Sequence, residues 1–121
     1  MTGAAGLVGR AAVRRLRAEG ASVIPVVRKT CDLSPQDAIE VDLGLGPTYL
    51  LNAVNSRPQT VLHLAAAVPH SPKYPDTEAS AEKTRQIDRT VRSVCSEWNI
   101  SCFYASTRGL YDPLNPRTKT E

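Results

Sequence analysis

The sequence predicts an α/β fold built on a parallel sheet, and three observations carry that expectation. A glycine-rich segment at Gly3, Gly6 and Gly9 runs straight into a helical pattern; short β-branched apolar runs then alternate with helical stretches along the chain. One of those runs, residues 60–67, is apolar almost without interruption between Pro58 and Pro69, which suits a strand covered on both faces. Alternation of this kind argues for parallel strands joined by right-handed crossovers. At 121 residues, 41% hydrophobic and 22% charged, the chain has room for one core and at most one domain. It shows no internal repeat.

The elements follow in order. Gly3, Gly6 and Gly9 form a G-x-x-G-x-x-G spacing. Such a spacing leaves bare backbone where a pyrophosphate can approach the amides of a helix N-terminus. A glycine-rich lead into an ordinary surface helix is the plainer alternative. The helix itself is expected from its period: Leu7, Val8, Ala11, Ala12, Leu16 and Ala18 are apolar, Arg10, Arg14, Arg15, Arg17 and Glu19 polar, and Gly20 suits the position just past its end. Residues 21–27 form a β-branched run that ends in Arg28-Lys29, and residues 38–43 alternate like a short strand. A helix over residues 47–55 begins with Pro47 near its first position. A proline-broken loop over 68–76 precedes the longest element, a helix over 77–98 with Ala81, Thr84, Ile87, Val91, Val94, Cys95 and Trp98 on one side. A strand over 101–106 and a loop over 107–121 rich in Pro, Asn and Gly complete the pattern.

Composition narrows the function classes. No apolar run approaches the ~20 residues that span a bilayer, and the first residues lack the layout of a signal peptide, so the chain reads as cytoplasmic with no membrane partner. Cys31, Cys95 and Cys102 show neither disulfide-framework nor metal-ligand spacing, so no metal site is expected. The net charge of +3 is dispersed: Arg14, Arg15 and Arg17 lie on the outer side of the first helix, and Arg85, Arg89 and Arg92 form a stripe on the long one. Neither stripe is interleaved with aromatics, which argues for solvated helix faces rather than nucleic-acid binding.

Four segments in this order, Thr2-Gly3-Ala4-Ala5-Gly6-Leu7-Val8-Gly9-Arg10, Val41-Asp42-Leu43, Leu62-His63-Leu64-Ala65-Ala66-Ala67 and Tyr104-Ala105-Ser106-Thr107-Arg108-Gly109-Leu110-Tyr111, carry a family resemblance over nearly the whole chain. On them the chain resembles the extended short-chain dehydrogenase/reductase family, the NAD(P)-dependent epimerases and dehydratases. The resemblance implies an incomplete Rossmann-type doubly wound sheet lacking its first strand. It also implies a cofactor site: Gly3, Ala5, Gly6, Leu7, Val8 and Gly9 at the pyrophosphate, Asp42 with Leu43 at the adenine, and Leu64, Ala65 and Ala66 as the wall. Counting back from Tyr111 places the substrate-activating hydroxyl at Thr107, with Ser106 beside it as the alternative. Each residue has a local reading as well: Asp42 suits a cap of the next turn, and Ser106 and Thr107 suit a hydroxyl-backbone turn.

Arg28 bears on the choice of cofactor. An acidic side chain at the end of the second strand of such a sheet accepts from the ribose 2′-OH, whereas an arginine can pair with a 2′-phosphate. Here Val27-Arg28-Lys29 ends the run and no acid occurs until Asp32, which favours NADP over NAD.

Two departures from the family pattern stand beside the matches. The family's Tyr-x-x-x-Lys pair is absent: four residues after Tyr49, Tyr74, Tyr104 and Tyr111 come Ala53, Glu78, Arg108 and Asn115. The first strand is central in a doubly wound sheet, so its loss leaves two inner ladders short of partners and Pro25 hinders their re-pairing. Either the 21–27 strand closes directly on the 60–67 strand or this region frays, and the chain is expected to be marginally stable. Two functions fit: a dinucleotide-binding fragment of an epimerase, dehydratase or reductase, inactive alone, whose small-molecule substrate is met only in a longer parent; or a non-catalytic nucleotide-binding remnant. Oligomeric state is left open by these residues.

Overall fold

The computed structural model describes residues 1–66 and 77–104. In chain order the elements are α1 (Leu7–Ala18), β1 (Val26–Val27), β2 (Ile39–Glu40), a 3-10 turn (Leu43–Leu45), α2 (Pro47–Ala53), β3 (Thr60–His63), α3 (Thr77–Trp98) and β4 (Ser101–Tyr104). The alternation expected from the sequence is present, and all strand pairing among the described residues is parallel. β1 pairs β2 with Val26 opposite Ile39, and β3 pairs β4 with Thr60 opposite Ser101 and His63 opposite Tyr104.

No regular strand precedes the glycine loop, and the strands accordingly divide into two pairs. The gap between them is neither closed by direct pairing nor frayed, contrary to both outcomes expected from the sequence. Residues 1–4 lie in it. The Val26 amide donates to the Met1 carbonyl (2.7 Å) and the Ala4 amide to the Val26 carbonyl (3.3 Å), while on the other side the Thr2 amide donates to Leu62 (3.0 Å) in an isolated parallel bridge with His63. An extended segment offers its hydrogen-bonding groups alternately to its two neighbours, so even this short stretch reaches both. The lateral order is therefore β2, β1, residues 1–4, β3, β4, which is the 3-2-1-4-5 order of an incomplete doubly wound sheet.

Pro25 fits by using its carbonyl alone: it accepts from the Ile39 amide (2.9 Å), and the missing donor leaves the ladder short. That shortness is why only Val26 and Val27 of the expected 21–27 run are strand. β2 is cut back similarly, because Leu43 has already entered the 3-10 turn.

The helices obey their end signals. α1 stops where Gly20 adopts φ +87, with the Gly20 amide on Arg17 (3.0 Å) and the Ala21 amide on Leu16 (3.0 Å), the paired bonds of a Schellman cap. α2 begins at Pro47, behind Gly46 at φ +115. α3 has the expected bounds and buries Ser80, Thr90, Val91, Val94 and Cys95, with Ile87 and Trp98 packed at the margin. Arg85, Arg89 and Arg92 are on its exposed side, where Arg85 and Arg89 pair with Glu82 (2.8 and 4.0 Å), as a solvated face should.

Two core clusters lie on opposite faces of the sheet at β1, whereas on β4 Phe103 is left 61% exposed. Val26 belongs with Val41, Leu43, Leu50, Val61, Val91, Val94 and Cys95, whereas its neighbour Val27 belongs with Ala4 and Val13 of α1. Successive strand residues point to opposite faces, so α1 covers one side and α2 with α3 the other. Val91 is 0% exposed and Tyr49 58%. Val91→Ala is expected to lower the urea-unfolding free energy by about 2 kcal/mol, and Tyr49→Ala to change it by no more than about 0.5 kcal/mol.

Candidate functional site

The glycine loop sits where residues 1–4, α1 and the end of β3 converge. Gly3 has φ +65, and a Cβ on it would lie 2.7 Å from both the Ala65 amide nitrogen and the Leu64 carbonyl carbon. A Cβ on Gly9 would overlap the Gly3 carbonyl oxygen and lie 2.8 Å from the Ala4 Cα. These two glycines are required by the fold itself, one at a strand-end contact and one where α1 crosses the loop. Gly6 differs. Its φ of −71 is open to any residue, and a Cβ there would meet only the Gly3 carbonyl oxygen, at an ordinary 3.4 Å.

Beyond Gly6 the first turn of α1 has no side-chain cap and no acidic residue. Leu7 and Val8, at 80% and 66% exposure, stand in the open at this end. The first amides of a helix have no partner within it, and together with the helix dipole they favour an anion. Twelve residues of α1, anchored at the far end by the Schellman cap, aim those amides outward from the loop.

Beneath the loop lies a polar cluster that the sequence reading did not assign. Thr2 and His63 are both buried, and Thr2 Oγ1 is 2.6 Å from His63 Nδ1. The Leu64 and Ala65 amides both donate to Thr2 Oγ1 (3.0 and 3.2 Å), so a side chain continues the ladder where the backbone pairing ends. On the far side of the ring, His63 Nε2 is 2.8 Å from Asp88 Oδ1 of α3, and the Tyr104 ring meets the imidazole edge to face at 5.4 Å. The available signal was His63 itself, a polar residue inside an apolar run, which must find partners when buried. Asp88 carried no comparable signal.

The other sequence-derived residues are placed as follows. Ala5 is half-buried beside the loop, packed with Ala4 and Val13. Leu64 and Ala65 are half-buried and Ala66 exposed at the end of β3, and Gly3 brings the loop into contact with the first two. Asp42 accepts from the Gly44 amide (3.0 Å), capping the 3-10 turn, and Lys83 stands 3.7 Å from the same oxygen. Leu43 is buried in the core cluster. Ser106 and Thr107 lie outside the described residues.

Arg28 is exposed at the end of β1 and pairs with no carboxylate among the described residues. The nearest acid on the adjacent strand is committed elsewhere: Glu40 Oε1 accepts from the Thr30 amide (2.7 Å) and hydroxyl (3.2 Å). The Thr30 amide first, then its hydroxyl, with Lys29 assisting, hold the Glu40 carboxyl below its ordinary range. A lowered carboxyl contributes stability above its unfolded value and loses it as pH falls through the folded one, so this link fails on acidification.

The cysteines are free: Cys31 is exposed, Cys95 buried and Cys102 between. Burial, with the Cys102 thiol adjacent, pushes Cys95 up to about 11, which makes it a poor nucleophile. Among the described residues no group of His, Cys, Asp and Glu could hold a metal ion, and no helix is long and apolar enough to cross a membrane.

Parallel strands with α1 on one side and α2 and α3 on the other, and a glycine loop opening onto a helix N-terminus at their centre, define a partial Rossmann-like α/β unit. The profile of the NAD dependent epimerase/dehydratase family matches residues 1–121, and the chain belongs to that family. No curated protein and no solved structure gave a significant match.

Gly9 and Gly6 separate experimentally. Gly9→Ala should cost about 3 kcal/mol or more, since helix and loop must part, while Gly6→Ala should stay within about 1 kcal/mol of the parent; chemical denaturation of both variants checks the difference.

Proposed function

We propose that these residues form the dinucleotide-binding part of an NAD(P)-dependent epimerase, dehydratase or reductase acting on a nucleotide sugar or another hydroxyl or carbonyl compound. The observation that carries the reading is Gly6: the fold asks for no glycine there, yet the position is bare and opens onto the uncapped amides of α1. A ligand approaching those amides closely gives the missing side chain a reason. Family membership over the whole chain supports a dinucleotide as that ligand.

In this reading the amides of Leu7, Val8 and Gly9 and the α1 dipole bind the diphosphate, Asp42 and Leu43 border the adenine, and Leu64 to Ala66 wall the cofactor. Asp42 meets the adenine with its cap to Gly44 already made. The nicotinamide ring, when bound, supplies the hydride acceptor or donor. Thr107, or Ser106 beside it, orients the substrate oxygen. The proton-transfer pair of the family is not among these 121 residues, so the chain binds cofactor and turns over no substrate by itself. A cofactor-dependent rate above the buffer blank in a coupled hydride-transfer assay would contradict that.

Arg28, exposed and paired with no carboxylate among the described residues, supports NADP over NAD, since the end of β1 offers a cation to a 2′-phosphate. Calorimetric titration should find NADP bound more tightly, and Arg28→Ala should weaken NADP about tenfold, the worth of one charge-assisted contact of about 1.5 kcal/mol, while leaving NAD nearly unchanged. Equal loss for both dinucleotides would remove Arg28 from the 2′-site. Gly6→Ala, folded as the parent, should weaken both cofactors alike.

A further inference from the structure

The polar cluster under the loop fixes more than packing, because its protons can be assigned by counting. Thr2 Oγ1 receives two amide donors, from Leu64 and Ala65. A hydroxyl oxygen has two acceptor sites, so with both filled its own proton must point to a third partner. The remaining neighbour is His63 Nδ1, at 2.6 Å. That nitrogen is therefore the acceptor and carries no proton, and the proton of the neutral ring sits on Nε2, directed at Asp88 Oδ1 (2.8 Å). Asp88, from α3, thus selects the tautomer that lets His63 hold the Thr2 hydroxyl in this orientation.

A second proton on His63 has only Nδ1 to occupy. Nδ1–H would face a hydroxyl that already takes two donors, so the Thr2 contact with Leu64 and Ala65 would have to rearrange. Gly3 follows Thr2 directly and lies against the same two residues, which makes the start of the loop dependent on that contact. The charged and titratable groups around the ring are Asp88 on α3, Tyr104 on β4, which lies near Arg92 of α3, and the amino group of Met1, spent on the Ile24 carbonyl at 2.8 Å. Arg85 lies a turn before Asp88 on α3 and is paired with Glu82.

We propose that His63, oriented by Asp88, is a positioning residue for dinucleotide binding: neutral, with its proton on Nε2, it clamps Thr2 and the loop onto Leu64 and Ala65, and its protonation releases the clamp and weakens the cofactor. The effect on affinity rests on the dinucleotide reading above; the clamp itself does not.

The test combines imidazole NMR with binding. In the ¹⁵N-labelled chain at about pH 8, His63 should show an unprotonated Nδ1 and a protonated Nε2, and on acidification the Leu64 and Ala65 amides should shift in step with its titration. His63→Asn offers a carbonyl acceptor near the Nδ1 position that cannot titrate. It should bind NADP within about threefold of the parent at about pH 8 and hold that affinity better toward about pH 5.5, where the parent should lose about tenfold more. The 2′-phosphate also titrates near pH 6, but identically in both proteins, and NAD serves as a second probe without it. Thr2→Ser should restore what Thr2→Val loses. A proton on Nδ1 in the neutral chain, amides indifferent to His63, or identical pH profiles for parent and His63→Asn would each overturn the proposal. Absence of binding by either dinucleotide at every pH would instead overturn the proposed function, with the clamp still decided by the tautomer and the amide response.

Discussion

Thr2 is the residue on which the arrangement turns. Its amide joins residues 1–4 to β3 through Leu62, and its hydroxyl takes the next two amides of the same chain segment, Leu64 and Ala65. Its flanking residues hold the other side: the Met1 carbonyl and the Ala4 amide both bond Val26 of β1. Two strand pairs that share no ladder are thereby made into one sheet by a segment too short to be a regular strand. Buried amides and carbonyls need partners, and here a minimal set of backbone groups plus one hydroxyl supplies them.

The position of the glycine loop follows from that junction. Gly3 presses against Leu64 and Ala65, and Gly9 lets α1 cross over the Gly3 carbonyl, so the helix start is fixed relative to β3 without any side chain intervening. Val13 of α1 then meets Ala4 and Val27 beneath it, while Val26 turns to the opposite core with Val91 and Val94 of α3. His63 and Asp88 carry the connection through the sheet to α3. The same contacts that join the two strand pairs also aim the amides of α1, which links the junction to the proposed cofactor site.

Much of this was legible in the residues, and the parts that were not share a cause. The bounds of α3, the Gly20 stop of α1 and the Pro47 start of α2 are local signals, set by period and by backbone preference, and they hold. Strand extents were overestimated at residues 21–27 and 38–43 because a strand lasts only as long as its neighbour's ladder, which local pattern does not show. The role of residues 1–4 was missed for the same reason: a few extended residues have no period. The Thr2, His63 and Asp88 cluster joins positions separated by 61 and 25 residues, so only the folded chain reveals it. Asp42 illustrates the opposite case, since its cap on Gly44 is a local reading open from the sequence and is made in the fold.

Amide hydrogen exchange measures the junction directly. If residues 1–4 complete the sheet, the Thr2, Val26, Leu64 and Ala65 amides should be protected to the same degree as Val61 and His63, whose amides face β4, because all would open only with the sheet. Exchange of those four at the rate of an unstructured chain, with β3 still protected, would show that the two strand pairs are not joined through Thr2 and would contradict the account.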